Sequence, residues 1–195
     1  SLVGSEMCIR DRFKQSALIQ NGIISDEARS GYNGRAVNII NGVRFGADRT
    51  DVPFQNWYYG GIRKANEFLQ NIEERYILPA NATQAQKEQR DRFIGEVRFY
   101  RAHLYWEMIK VYGGVPIITQ VIDKDETDES LLYPKRNTTD ESFTFIIKEL
   151  KEAADLLPVT YSGDNWGRIT KGAALAYCAR IQLYRASPMF NPSNE

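Results

Sequence analysis

RDRFIGEVRFYRAHLYWEMIKVYGGVPIIT, residues 90–119, decides the fold. Wound as a helix, it places Phe93, Val97, Leu104 and Met108 on one stripe, with Ile94, Arg101, Tyr105, Ile109 and Tyr112 beside it. Steps of three and four mark an amphipathic helix, and an apolar face this wide requires neighbours on more than one side. The stretch therefore reads as the central helix of an all-α domain. Gly113-Gly114 ends it, because glycine accepts the backbone angles of a C-terminal cap. Val115-Pro116 then forces an extended exit, since a residue before proline avoids helical angles. Arg101 falls on the apolar side and needs a carboxylate partner there, because a lone buried charge is costly. Arg92–Glu96 and Glu107–Lys110 read as ordinary helix-surface pairs. The Glu96, Arg98 and Arg101 group reads as structural ion pairing, not as catalytic machinery.

Upstream, Phe54 to Tyr76 reads as a helix with Trp57, Ile62, Ala65, Leu69 and Ile72 on one side. Gly60-Gly61 weakens it by roughly 1 kcal/mol per glycine, which implies a close backbone approach there. Pro79 to Thr83 is the turn between the two helices. Downstream, Ile117 to Ile122 runs extended and Asp123 to Ser130 is acidic. That acidic run lacks the ligand spacing of a calcium loop and reads as a solvated connector. Thr138-Thr139-Asp140-Glu141 is an N-cap with acids in the first turn. Phe143, Ile147, Leu150, Ala154 and Leu157 supply the helical period that follows, and Pro158 closes it. Gly163 to Ile169 is a turn carrying Trp166, and Thr170 caps a last helix from Lys171 to Ser187. Its stripe of Gly172, Ala176, Ala179 and Leu183 is small, which suits close approach by another helix. Cys178 reads as a small buried hydrophobe.

The 195 residues suffice for one sizeable core. Lys+Arg and Asp+Glu are each 25, and zero net charge argues against nucleic acid and against a polybasic membrane surface. The two cysteines, Cys8 and Cys178, make no disulfide framework. No run of the chain is apolar for long enough to span a bilayer. Phe13 to Ile24 reads as a short helix, and Asp26 to Asp51 mostly as loop. Within that loop, NGVRFGADRTD (residues 41–51) mixes one aromatic with several hydrogen-bonding side chains. Such a mixture suits a sugar, whose flat face stacks while its hydroxyls take bidentate partners. Arg44, Phe45, Asp48 and Asp51 are the candidate ligand residues, with Trp166 as a further one; an ordinary solvated connector is the competing reading.

Four segments carry a family resemblance. Glu96, Arg98, Arg101 and Ala102 form E-x-R-x-x-R-A, followed by an aromatic helix and Y-G-G-V-P over Tyr112 to Pro116. WYYGGIRKANEFLQNI (residues 57–72) supplies W…Y…I…AN…FL, with Trp57 and Asn66 among its marks. Arg136, Thr138, Leu150, Ala153, Leu157 and Pro158 follow the same family's next helix, with Glu149 where the family often has Asp. GRITKGAALA (167–176), then Arg180 and Ala186-Ser187-Pro188, resembles its GRATKGAALA…ASPLFN segment, with Gly167, Arg168 and Lys171 among the shared positions. In this order they resemble the SusD/RagB family of surface nutrient-binding lipoproteins of Bacteroidetes. The resemblance implies tetratricopeptide-like paired antiparallel helices, an α-α superhelix, with long connecting loops. Gly113, Gly114 and Pro116 belong to the same set of scaffold signatures, and none of these positions is implied as a ligand residue.

The implied function is glycan or nutrient binding without catalysis, with delivery of oligosaccharide to a SusC-like TonB-dependent transporter at the outer membrane. No cofactor and no metal is implied. The resemblance also implies a longer protein. Residues 1–12 resemble translated sequencing-adaptor read-through and are set aside. Residues 13–195 read as the N-terminal helical part of a SusD-like domain, cut at its C-terminus, with the signal and lipid anchor outside this chain. Two other functions are open to a helical array: a repeat scaffold binding peptide or protein, and a helical glycoside hydrolase. A hydrolase needs two carboxylates facing a cleft about 5–10 Å apart, and no acid stands on an apolar face with a turn-borne partner. His103 is the only histidine and reads as a satisfied helix residue.

Overall fold

The chain divides into two units, Ser1–Asn56 and Trp57–Glu195. The computed structural model describes residues 58–123 and 125–190, all in the second. There the elements are α1 (Tyr59–Arg75), α2 (Gln84–Tyr112), α3 (Glu129–Leu132), α4 (Thr139–Leu156) and α5 (Lys171–Arg185), with a 3-10 turn at Gly163–Asn165. No strand occurs among the described residues. The expected helix at Phe13–Ile24, the loop to Asp51, and Trp57 lie outside them.

Four of the five helices begin where a side chain bonds free N–H groups, and α1, entered from Tyr58, begins without one. Thr83 and Gln86 form a reciprocal capping box, so α2 starts six residues before Arg90. Thr138 and Glu141 do the same for α4. The bonds from Thr138 hold the Glu141 carboxyl below the usual carboxylate range. Thr170 caps α5 by accepting from the Ala173 N–H. Asp128 caps α3, a single turn that acidic composition alone did not suggest. The bonds it accepts from Ser130 lower its own pKa. The terminal residues differ modestly from expectation: Tyr76 caps the end of α1, and α5 stops at Arg185.

The pairing order follows from who meets whom. A Cβ on Gly95 would meet Leu157 and Ala153, Arg101 reaches Glu149, Trp106 stacks on Phe143, and Gly114 bonds Thr139. As α2 ascends, α4 descends; the two are antiparallel. Likewise Gly61 lies against Leu104 and Asn66 against Arg101 for α1 and α2. Lys171 meets Asp155 and Arg185 meets Asp140 for α4 and α5. The result is a row of consecutive antiparallel helices with α2 and α4 at its centre.

The core lies around the C-terminal half of α2: Ala102, Tyr105, Met108 and Ile109 pack with Ile62, Phe143, Ile146, Leu150, Cys178 and Ile181. Phe93, Ile94 and Val97, expected on the buried stripe, are only half-buried. The fully buried position in that half is Gly95, which the apolar pattern did not mark. Of the Gly60-Gly61 pair, only Gly61 is crowded, 2.8 Å from Leu104 for an added Cβ; Gly60 faces open space.

The expected stripe on the last helix is reversed. Gly172, Ala176, Ala179 and Leu183 are exposed, and α5 packs instead through Ala174, Cys178 and Ile181. Both sets satisfy helical spacing and Leu183 matches Ile181 in size, so the choice rests with the neighbours: Cys178 and Ile181 join the core built by α1, α2 and α4.

Side chains of α1 and α2 pin the extended segment after Pro116. Tyr59 donates to the Pro116 carbonyl and Asn66 to those of Ile118 and Gln120. The Tyr105 hydroxyl donates to the Ile118 carbonyl at 3.0 Å and accepts from the Ile118 N–H at 2.7 Å. Burial pushes the Tyr105 phenol up to about 12. Tyr105→Phe would leave both backbone groups of Ile118 without that partner. The expected loss is about 1–3 kcal/mol, read as a lower urea midpoint with unchanged slope. A midpoint equal to wild type would show that the hydroxyl does not hold the segment.

Candidate functional site

Two polar constellations stand out in the helical unit, one closed and one open. The closed one surrounds Arg101, whose expected carboxylate is Glu149. Arg101 Nε and Nη2 donate to Glu149 Oε2 at 2.9 and 2.6 Å, and Nη1 donates to Asn66 Oδ1 at 2.8 Å. Arg98 Nη1 donates to Glu149 Oε1 at 2.8 Å and also bonds Glu152. Arg101 and Glu149 are 5% and 4% exposed. Every charge here faces an opposite charge, so the group joins α1, α2 and α4 and offers nothing to a ligand. Asn66, Arg98 and Arg101 thus tie α1, α2 and α4 together.

The open constellation lies on the segment between α4 and α5. The 3-10 turn Gly163–Asn165 presents Trp166, whose N–H bonds the Gly163 carbonyl. Gly163 (φ +60°) and Gly167 (φ +90°) bracket the turn in conformations that favour glycine. The indole is 83% exposed. Two side chains of α2 hold the segment from below. Arg92 Nη1 donates to Asn165 Oδ1 at 3.2 Å, and Arg168 Nη1 donates to both Glu96 oxygens at 3.2 and 3.0 Å. Tyr161 completes the cluster, its phenol pKa raised by burial and by the nearby Glu96 carboxylate. Arg92–Glu96 is therefore not the surface pair expected from the sequence. Each partner reaches instead across to the turn some seventy residues on. Glu107–Lys110 does form, within α2.

An exposed indole flanked by an amide and a guanidinium can stack on a flat apolar face and bond the hydroxyls around it. Of the candidate ligand residues, the structure describes Trp166 alone; Arg44, Phe45, Asp48 and Asp51 lie outside the described residues. Sequence reasoning did not single out Asn165 or Tyr161, and it paired Arg92 and Glu96 wrongly. Their meeting depends on the antiparallel registry of distant helices. Among the signatures, Gly113 (φ +70°) caps α2, Gly114 is buried, and Lys171 pairs with Asp155 at 3.6 Å. Arg180 and Pro188 are exposed.

Other features are structural. His103 Nδ1 lies 2.7 Å from the Tyr177 hydroxyl, and burial lowers its pKa, so it is a neutral packed imidazole. A cleft of about 170 Å³ lies between α1 and the pinned segment 118–122, and an open hollow of about 370 Å³ lies beside Asp140, Arg185 and Phe190. Trp166 borders neither. Among the described residues no cluster of His, Cys, Asp and Glu suits a metal ion. No helix among them is long and apolar enough to cross a membrane.

Comparison with known proteins gives a consistent result. The SusD-like family model, described as starch-binding and associating with the outer membrane, matches residues 9–183. Two curated SusD-like proteins of Formosa agariphila are 25% and 26% identical over 127 and 125 residues. These stretches cover 65% and 64% of this chain but 22% of each relative. A crystal structure of a SusD-like protein from Bacteroides fragilis is 35% identical, with a TM-score of 0.55 over 65% of this chain and 22% of that one. A SusD-like carbohydrate binding protein from the same species is 25% identical, with a TM-score of 0.62 over 84% of this chain and 30% of that one. A laminarin binding SusD-like protein is 25% identical, with a TM-score of 0.54 over 68% and 26%. The chain spans about a fifth of the length of its curated relatives. With a family match over most of its length and helices laid out as in these solved structures, the chain belongs to the SusD-like family.

Proposed function

We propose that this chain is the helical scaffold of a non-catalytic glycan-binding lipoprotein at the outer membrane, which passes oligosaccharide to a SusC-like TonB-dependent transporter. The observation that carries the reading is the Trp166 surface: a single indole held outward by two α2 side chains, with amide and guanidinium groups beside it. A large flat aromatic on a braced turn offers a stacking face to a ligand with a flat apolar side. The names of the relatives support carbohydrate as that ligand. Binding without turnover fits the closed network, in which the buried carboxylate of Glu149 is taken up by Arg98 and Arg101. Arg44, Phe45, Asp48 and Asp51 are proposed as further ligand residues from loop composition. The transporter partnership and the lipid anchor are proposed from family membership.

The test is glycan retention in affinity electrophoresis. Trp166→Ala is expected to weaken retention by about tenfold, the worth of one buried aromatic contact. Phe45→Ala should add to the loss, with helicity unchanged in both. Retention unaltered in the double variant removes these residues from the site, and cleavage of the glycan by purified protein overturns the non-catalytic reading. Binding of peptide alone favours the scaffold alternative.

A further inference from the structure

Of the cations at the Trp166 turn, Arg168 and Lys171 face carboxylates and Arg92 a neutral amide oxygen. Arg168 is held by both oxygens of Glu96, Arg92 donates to Asn165, and Lys171 faces Asp155. Asp164, exposed within the turn two residues before Trp166, adds a negative charge there. The Glu96–Arg168 pair matters most. One guanidinium nitrogen, Nη1, donates to both carboxylate oxygens, so the positive charge there is offset from within and draws an anionic ligand less strongly. The Asn165 amide is likewise oriented: its Oδ1 accepts from Arg92, which leaves Nδ2 as a neutral donor at the rim.

From this we infer that Glu96 sets the charge selectivity of the Trp166 surface: by neutralising Arg168 it reserves the indole face for uncharged sugar rings over uronates and sulfated sugars. The inference rests on the carbohydrate reading above and adds a class of ligand to it. Glu96 lies beneath the turn with its side chain 13% exposed, so it acts through Arg168 and is a positioning residue. An exposed indole can meet the C–H face of a neutral pyranose, whereas a polyanion is drawn by uncompensated cations, and Arg168 and Lys171 each already face a carboxylate.

The test compares Glu96→Gln with wild type in gels containing laminarin, maltodextrin or polygalacturonate. Wild type is expected to be retarded by a neutral glucan and not by polygalacturonate. Glu96→Gln keeps the side-chain shape but removes the charge holding Arg168, and should gain polygalacturonate affinity by about tenfold at low salt. That gain should fall as ionic strength shortens the screening length. Asp164→Asn, at an exposed position, should shift selectivity the same way by a smaller factor, which covers the case in which Glu96→Gln folds poorly. A readout free of glycan uses collisional quenching, with a Trp166→Phe reference isolating the indole. Iodide relative to acrylamide should quench Trp166 about twofold better in Glu96→Gln.

Polygalacturonate retarding wild type as strongly as neutral glucan overturns the inference. So does an unchanged polygalacturonate affinity and iodide ratio in Glu96→Gln and Asp164→Asn. Neutral glucan binding that survives Trp166→Ala instead overturns the assignment of the indole to the glycan site, while the iodide ratio still decides what Glu96 does.

Discussion

Replacing Glu149 by alanine is expected to destabilise the helical unit by about 3–5 kcal/mol, the usual consequence of removing one partner from a buried ion pair. The side chain is nearly inaccessible and accepts from three guanidinium nitrogens, two of Arg101 and one of Arg98. Without it, Arg101 keeps only the Asn66 amide oxygen, a neutral partner for a charge with almost no water. The effect should be specific to the break and not to the loss of charge as such. Arg101→Met with Glu149→Leu together should lose much less than either single change, since well-packed apolar replacements for a buried pair are often close to neutral. Glu152→Ala is the control. Its carboxylate bonds Arg98 but is 39% exposed, and an exposed pair contributes about 1 kcal/mol or less. Urea midpoints for the four proteins check the order. A double variant as unstable as Glu149→Ala would show that packing, not the unpaired charge, sets the loss.

That network also shows what the sequence could and could not say. Arg101 on an apolar helix face demanded a carboxylate, and this was readable from residues 90–119 alone. Which carboxylate was not, because Glu149 is 48 positions away and meets Arg101 only through the registry of α2 against α4. The caps at Thr138 and Thr170 were legible because their chemistry is local, whereas the one at Thr83 was read as the end of a turn. The turn that carries Trp166 was legible too. Its braces were hidden for the same reason as Glu149: Arg92 and Glu96 looked self-sufficient as an i,i+4 pair, and tertiary structure gave each a distant partner. The side of α5 that packs failed differently. Two stripes of small and apolar residues satisfied one period, and only the neighbour chose between Gly172–Ala176–Ala179–Leu183 and Ala174–Cys178–Ile181. The proposed loop residues Arg44, Phe45, Asp48 and Asp51 were reached by composition only, a weaker guide than spacing.

Glycine substitutions separate local propensity from tertiary contact most sharply. Gly114→Ala is expected to destabilise by about 3 kcal/mol, at the upper end for overpacking a buried site. An added Cβ would lie 2.0 Å from the Asn137 carbonyl oxygen, 2.7 Å from Thr138 C and 2.9 Å from Thr139 N. All three are backbone, so no side-chain rotation relieves the clash. The backbone in question is also the start of α4, where Thr138 and Glu141 cap the helix and Arg136 reaches back to the carbonyls of Tyr112 and Gly114. Movement there should loosen the α2 exit and the α4 cap together. Gly60→Ala supplies the opposite case. It sits within α1 with nothing near its Cβ position, and alanine there should stabilise by about 0.5–1 kcal/mol through a less flexible unfolded chain. Urea midpoints should therefore fall on either side of wild type, although both changes add one methyl group to a glycine. A Gly114→Ala protein within about 0.5 kcal/mol of wild type, the range of an uninvolved surface site, would mean that α2 does not pass as close beneath the start of α4 as described.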